Sequence, residues 1–184
     1  MLKILQLADI HGAVALITKI QQEIWQADVV VLCGDITHFG GRAEVREIID
    51  SIAFNNKNIL AVAGNCDQPV VDEYLDGSGI GIDRKIICRH NFQWAGLSGS
   101  LPCPGHTPLE FTEREYEERL RRIEKALVVS LPLILTIHQP PLHTCNDLLT
   151  DGTHVGSQAV RNFIERISPK LCLTAHIHEA VATH

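Results

Sequence analysis

Five short apolar runs share one feature: each ends in a polar side chain that a buried strand end would not normally carry. LKILQLAD ends in Asp9, with His11 two residues on, and DVVVLCGD ends in Asp35. NILAVAGN ends in Asn65, LPLILTIH in His138 and KLCLTAH in His176, with His178 two residues on. The runs are aliphatic or β-branched and bounded by polar or turn residues, which predicts buried strands. Between the first three, Val14, Ile17, Ile20 and Ile24 make a stripe at helical spacing, and so do Val45, Ile48, Ile49 and Ile52. Alternating strand and helix predicts an α/β chain with parallel pairing through crossover helices. In such sheets ligands sit beyond the carboxyl ends of the strands, so the polar endings are expected to converge.

The middle of the chain reads differently. Residues 80–101 predict shorter, more polar, antiparallel strands, and LPCPGHTPLEF is a Pro-rich loop. Thr112 with Glu115 forms a capping box for a helix whose apolar face is Tyr116, Leu120, Ile123 and Leu127. The balanced charges on its other face read as a solvated surface. Ser157 caps a further helix carrying Val160, Phe163, Ile164 and Ile167, stopped before Pro169. With no repeat, low-complexity segment or linker, residues 1–184 are expected to form one domain.

Composition narrows the partners. Aromatics are only 5% of the chain, so the core is expected to be aliphatic. A net charge of −6 argues against long nucleic acid, which needs a basic surface. A small phosphorylated substrate stays open, because bound metal ions could supply positive charge. The six cysteines form no CxxC and read as reduced thiols of a cytoplasmic protein. MLKILQLADIH carries too short an apolar run for a signal peptide, and no run reaches membrane-spanning length. The ten histidines are a surplus that asks for a chemical reason.

Metal binding supplies one. Singly, an Asp at a strand end is an ordinary turn former and a His an ordinary core or surface residue. Jointly, five strand candidates end in ligand-type residues. Asp9 with His11 and His176 with His178 are spaced i, i+2, so at an extended strand end each pair could reach one ion. Carboxylate, imidazole and amide oxygen suit Mn²⁺, Fe, Zn²⁺ or Ni²⁺. Seven candidate ligands exceed what one open site needs and fit two ions sharing a carboxylate, for which Asp35 is the candidate.

In chain order, D-x-H at Asp9 and His11, G-D at Gly34 and Asp35, G-N-x-D from Gly64 to Asp67, His138 after its apolar run, and H-x-H at His176 and His178 resemble the motifs of the calcineurin-like metallophosphoesterases. GDITHFG, GSLP-x-P, HQPPLHT and GTHVGSQAVR further resemble an Icc-like prokaryotic branch bearing a GNCD motif. The resemblance implies a four-layer αββα sandwich of two mixed β-sheets flanked by helices. It implies that Asp9, His11, Asp35 and His178 hold one metal, and that Asp35, Asn65, His138 and His176 hold the other, with Asn65 also touching phosphate. It implies a metal-dependent phosphoesterase acting on a small phosphodiester through a hydroxide bridging two divalent ions, Mn²⁺ foremost.

Three departures stand out. His is usual where this chain has Cys66, and Gly is usual where it has Ala175, whose methyl would crowd a turn needing positive φ. The family usually continues into a further strand pair, whereas this chain stops at His184; the open edge would invite a homodimer. Cys66 is expected to be a neutral thiol standing in for the His, and Asp67 to orient the turn. The Cys66 nucleophile reading is weak, since no base accompanies it. His154, in a Gly-flanked loop before a helix, and His38 are candidates for the missing acid. Asp147 and Asp151 are expected to shape their loop, and His90, His106, His143 and His184 carry no assignment. Without a strong acid, the enzyme would lean on its metals and favour good leaving groups. The rival readings are a non-catalytic interaction scaffold on the same fold and a nuclease.

Overall fold

The computed structural model describes residues 1–180; His184, and with it the question of strands past the last motif, lies outside them. Three strands, β1 (Ile4–Leu7), β2 (Val29–Cys33) and β3 (Ile59–Val62), pair in parallel in the order β1-β2-β3. Four more, β4 (Ile87–Arg89), β5 (Phe92–Leu97), β6 (Leu133–Ile137) and β7 (Leu171–Leu173), form a second sheet in sequence order. There β4 runs antiparallel to β5, while β5, β6 and β7 are mutually parallel. The second sheet is therefore the mixed one; the described strands of the first are all parallel.

The period-two alternation of strand side chains builds the layers. Val30, Leu32 and Ala61 turn outward onto Ile17, Ile24, Val45, Ile48 and Ile52 of the first helices. Val29, Val31, Leu60 and Val62 turn inward and meet Trp94 and Ile134 of the second sheet. Leu133, Leu135 and Ile137 face Tyr116, Leu120, Ile123, Val160 and Phe163 of the last helices. Helix, sheet, sheet, helix is the four-layer sandwich the motifs implied. Both faces of β2 and β3 are dry, which is why they read as unbroken apolar runs.

The helices depart from the sequence in detail. The first stripe is broken into α1 (Val14–Ile17), a 3₁₀ turn (Thr18–Ile20) and α2 (Gln21–Gln26). Thr18 Oγ1 donates to Ala15 O at 2.8 Å, the local back-bonding that makes Thr a poor helix-interior residue. The second stripe is α3 (Arg42–Ala53), and α4 (Pro69–Gly77), opened by Pro69, is a helix the periodicity does not mark. The capping box appears as expected at the start of α5 (Glu113–Ala126), as does Ser157 at the start of α6 (Gln158–Ile167). The expectation of short polar strands over 80–101 fails at β5: Gln93–Leu97 are buried in the interior of the sheet. Gln93 is the polar exception, and its Nε2 donates to Val128 O and Leu131 O.

A buried network ties the two sheets together below the strand ends. Arg119 of α5 donates to Asp83 Oδ1 at 2.7 Å and to Ser98 O at 3.1 Å. Ser98 Oγ in turn accepts from Ala63 N, just beyond β3.

Candidate metal centre

Beyond the strand ends, the backbone enters a strained conformation. Asp9, His11, Asp35 and His176 all have positive φ, between 46° and 77°. This region costs L-residues on the order of 1 kcal/mol or more each, and it persists only where surroundings enforce it. Here the enforcement is visible. Asp9 N donates to Gly34 O, His11 N to Asp35 O and Gly12 N to Ile36 O, zipping the loop after β1 onto the loop after β2. Asp67, fully buried, accepts from Gly64 N, Ile36 N, Thr37 N and Thr37 Oγ1, and so clamps the loops after β2 and β3. Two glycines let the ligands approach one another. A Cβ on Gly34 would strike the His138 ring, and one on Gly64 would strike the Asp35 backbone and carboxylate. Ala175 keeps φ outside the left-handed region, which falls on His176 instead, so the expected crowding does not arise.

The side chains converge. Ligand atoms of Asp9, His11 and His178 lie within 4.8 Å of one another, as do those of Asp35, His138 and His176. A third such group is His11, Asp35 and Cys66, so Asp35 belongs to two groups. Asp35 Oδ2 is 3.7 Å from His11 Nε2, and its Oδ1 is 3.5 Å from His138 Nε2. Asn65 Oδ1 stands 3.0 Å from that same His138 nitrogen. His138 Nδ1 lies 2.8 Å from the Cys33 carbonyl, which can only accept, so Nδ1 donates and Nε2 is turned to the cluster, where burial opposes a proton but Asp35 favours one and raises the imidazole pKa.

These residues fit a cation. Asp9 Oδ1 is buried without a hydrogen-bond partner, 3.5 Å from His178 Nε2, and His11 Nδ1 is also unpartnered. The Nε2 atoms of His11 and His178 face each other at 3.4 Å. Burial, helped by the charge of His138, pushes the His176 imidazole down to about 4, so it stays neutral and able to ligate. Burial would raise the Asp35 carboxyl, but the hydrogen bond and charge of His138 and the Cys66 N–H outweigh it and hold Asp35 well below the usual range.

A family model described as calcineurin-like phosphoesterase matches residues 2–180. The chain belongs to that family. An uncharacterized protein of Methanocaldococcus jannaschii is 36% identical over 183 residues, covering 97% of this chain and 81% of its own length. A solved crystal structure superposes with a TM-score of 0.78 at 16% identity, covering 95% of this chain and 84% of that one. A putative 5'-nucleotidase from Staphylococcus aureus, solved with α-ketoglutarate, gives a TM-score of 0.52 at 13% identity and covers 94% of this chain and 44% of that one. At these identities the two structures speak for the fold alone.

As a calcineurin-like phosphoesterase, the chain is of a kind that hydrolyses phosphoric esters with divalent metal ions. Around the cluster the structure adds residues that the sequence reading passed over. Thr107 Oγ1 accepts from Asn65 Nδ2 at 3.1 Å and donates to Glu110 Oε1 at 2.8 Å. Leu109 N also donates to Asn65 O, so the Pro-rich loop holds Asn65 at both ends. Cys103 Sγ lies 3.7 Å from His176 Nε2. Burial and the Asp35 and Asp67 carboxylates push the Cys66 thiol up to about 12. The His38 ring meets His11 edge-on, with centroids 5.5 Å apart. His154 Nδ1 bonds Asp147 at 2.8 Å, and it is in none of the ligand groups. Asp147 shapes its loop, accepting from the N–H groups of His143, Thr144 and Gly156. A cavity of about 430 Å³ opens beside Asp9 and His178, walled by Asn146 and Thr174. No helix of the described residues is long and apolar enough to cross a membrane.

Proposed function

We propose that this phosphoesterase hydrolyses a small phosphodiester with two divalent ions, Mn²⁺ foremost, held on either side of Asp35. The observation that carries the reading is that Asp35 falls in two ligand groups, with His11 and Cys66 in one and with His138 and His176 in the other. Asp9, His11 and His178 would complete one site, and Asn65, His138 and His176 the other. Bound there, such ions supply Lewis-acid chemistry, activating water and neutralising charge on the phosphoryl oxygens.

The chain's own residues set the geometry. Cys33 O and Asp35 orient His138, Thr107 orients Asn65, and Asp67 ties together the two loops that carry Asp35 and Asn65. The Asn65 amide, held by His138 and Thr107, would also contact the ester. Among the described residues, the lining of the cavity beside Asp9 and His178 contains no Lys or Arg, which suits a singly charged diester better than a doubly charged monoester. The leaving-group proton is assigned to His154, whose Nδ1 is held by Asp147 so that Nε2 stays free, or to His38, which touches His11. Cys66 supplies no imidazole acid, so good leaving groups are favoured. Cys33, Cys66, Cys88, Cys103 and Cys172 form no disulfide, in keeping with a cytoplasmic setting for this single catalytic unit.

Protein loaded with Mn²⁺ is expected to hydrolyse bis(p-nitrophenyl) phosphate faster than p-nitrophenyl phosphate. A 5'-nucleotide completes the panel, since one structurally similar chain bears that activity in its name. Asp35→Asn is expected to lower kcat by on the order of 100-fold or more. Preference for the monoesters would overturn the diester reading; undiminished turnover by Asp35→Asn would overturn the shared-carboxylate site.

A further inference from the structure

Cys66 lies inside a ligand-competent group. Its sulfur, an imidazole nitrogen of His11 and a carboxylate oxygen of Asp35 lie within 4.8 Å of one another. Two further contacts fix it there. Cys66 N donates to Asp35 Oδ1 at 2.8 Å, so the residue is registered on the very carboxylate that the two sites share. Cys66 Sγ is 3.6 Å from Asn65 Nδ2, a donor that can support sulfur lone pairs without competing for a cation. The side chain is half-buried, so it is open to an entering ion and screened from bulk water.

From this geometry we propose that Cys66 is itself a metal ligand, adding a thiolate sulfur to the His11 and Asp35 donors. The proposal rests on the metal-centre reading given above. On binding, the S–H bond is exchanged for a sulfur–metal bond, and the proton leaves to solvent. In the metal-free chain Asp35 and Asp67 oppose a negative sulfur, whereas a divalent ion between Asp35 and His11 reverses the sign of the local field. The consequence is confined to the site on the His11 side: a soft donor there raises its affinity for Zn²⁺, Fe²⁺ and Co²⁺ relative to Mn²⁺, while the Asn65, His138 and His176 site keeps the oxygen and imidazole donors that suit Mn²⁺. Cys103, whose sulfur contacts His176 but joins none of the ligand groups, is the internal control.

Titration of the metal-free protein with Co²⁺ separates the layers of the claim. Visible d–d bands report entry of Co²⁺ into the centre. A near-ultraviolet thiolate-to-cobalt charge-transfer band reports sulfur ligation. The expected result is both signals in the wild type and in Cys103→Ser, with the charge-transfer band lost and the d–d bands retained in Cys66→Ser. In competition, Cys66→Ser is expected to lose on the order of 10–100-fold in Zn²⁺ affinity and markedly less in Mn²⁺ affinity. Co²⁺ d–d bands without a charge-transfer band in the wild type would overturn the thiolate ligand while leaving the metal centre standing. A charge-transfer band that survives in Cys66→Ser, or vanishes only in Cys103→Ser, would overturn it as well. Absence of any Co²⁺ spectrum in the wild type would overturn the metal centre and the thiolate ligand together.

Discussion

Asp67 takes three backbone N–H groups and one hydroxyl onto a single buried carboxylate. Replacing it by Ala strands the N–H groups of Ile36, Thr37 and Gly64 inside the protein. The expected loss is about 3 kcal/mol, read from the urea midpoint, because a buried donor without an acceptor costs about 1–3 kcal/mol. Some residues of this region were legible from sequence and others were not. Asp9, Asp35, Asn65, His138 and His176 announce themselves because each interrupts an apolar run with a polar group, against the usual burial rule. The structure brings them together, along with His11 and His178. Thr107, Glu110 and Cys103 leave no such mark. They sit in a loop without periodicity, and their importance comes from contacts such as Thr107 to Asn65, 42 positions apart in sequence. His154 carried a signal, a Gly-flanked loop before a helix, while its Nδ1 contact to Asp147 left no mark in the sequence.

At the scale of elements, local chemistry was the readable part. The Thr112 and Glu115 box forms in both directions, Glu115 N to Thr112 Oγ1 at 3.3 Å and Thr112 N to Glu115 Oε2 at 2.8 Å. Thr112→Ala should cost about 1 kcal/mol in thermal or urea unfolding, with metal binding intact. The loop between β6 and α6 gives a pH-dependent expectation. Burial opposes a charged Asp147, but His154 and three backbone N–H groups outweigh it and lower its pKa in the folded chain. A depressed carboxyl stabilises the fold above its unfolded pKa, and that contribution fades as pH falls toward the folded value. The stability gap between wild type and Asp147→Asn should therefore be widest at neutral pH and narrow below about pH 4. A gap that stays constant on acidification would show that Asp147 is not held ionised by these partners. What the periodicity misjudged was context. β5 looked polar because of Gln93, yet its neighbours in the sheet bury it, and the first helical stripe breaks where Thr18 bonds backward.

For the whole molecule, two sheets stack so that the carboxyl ends of β1, β2, β3, β6 and β7 open on one cluster. The apolar runs foretold the strands and their direction. Division into two sheets came only from the family resemblance, since periodicity shows which residues are buried but not against what. Among the described strands β7 pairs on one side only, and Leu171 on it is 38% exposed. Association of two copies along that edge is the proposed quaternary state, and light scattering on the purified protein tests it. The proposed chemistry requires two cations that meet at Asp35. Anomalous diffraction from crystals soaked in Mn²⁺ examines that without reference to any substrate. The expected map shows two peaks flanking the Asp35 carboxylate, one beside Asp9, His11 and His178 and the other beside Asn65, His138 and His176. A single peak, or peaks away from Asp35, would contradict it.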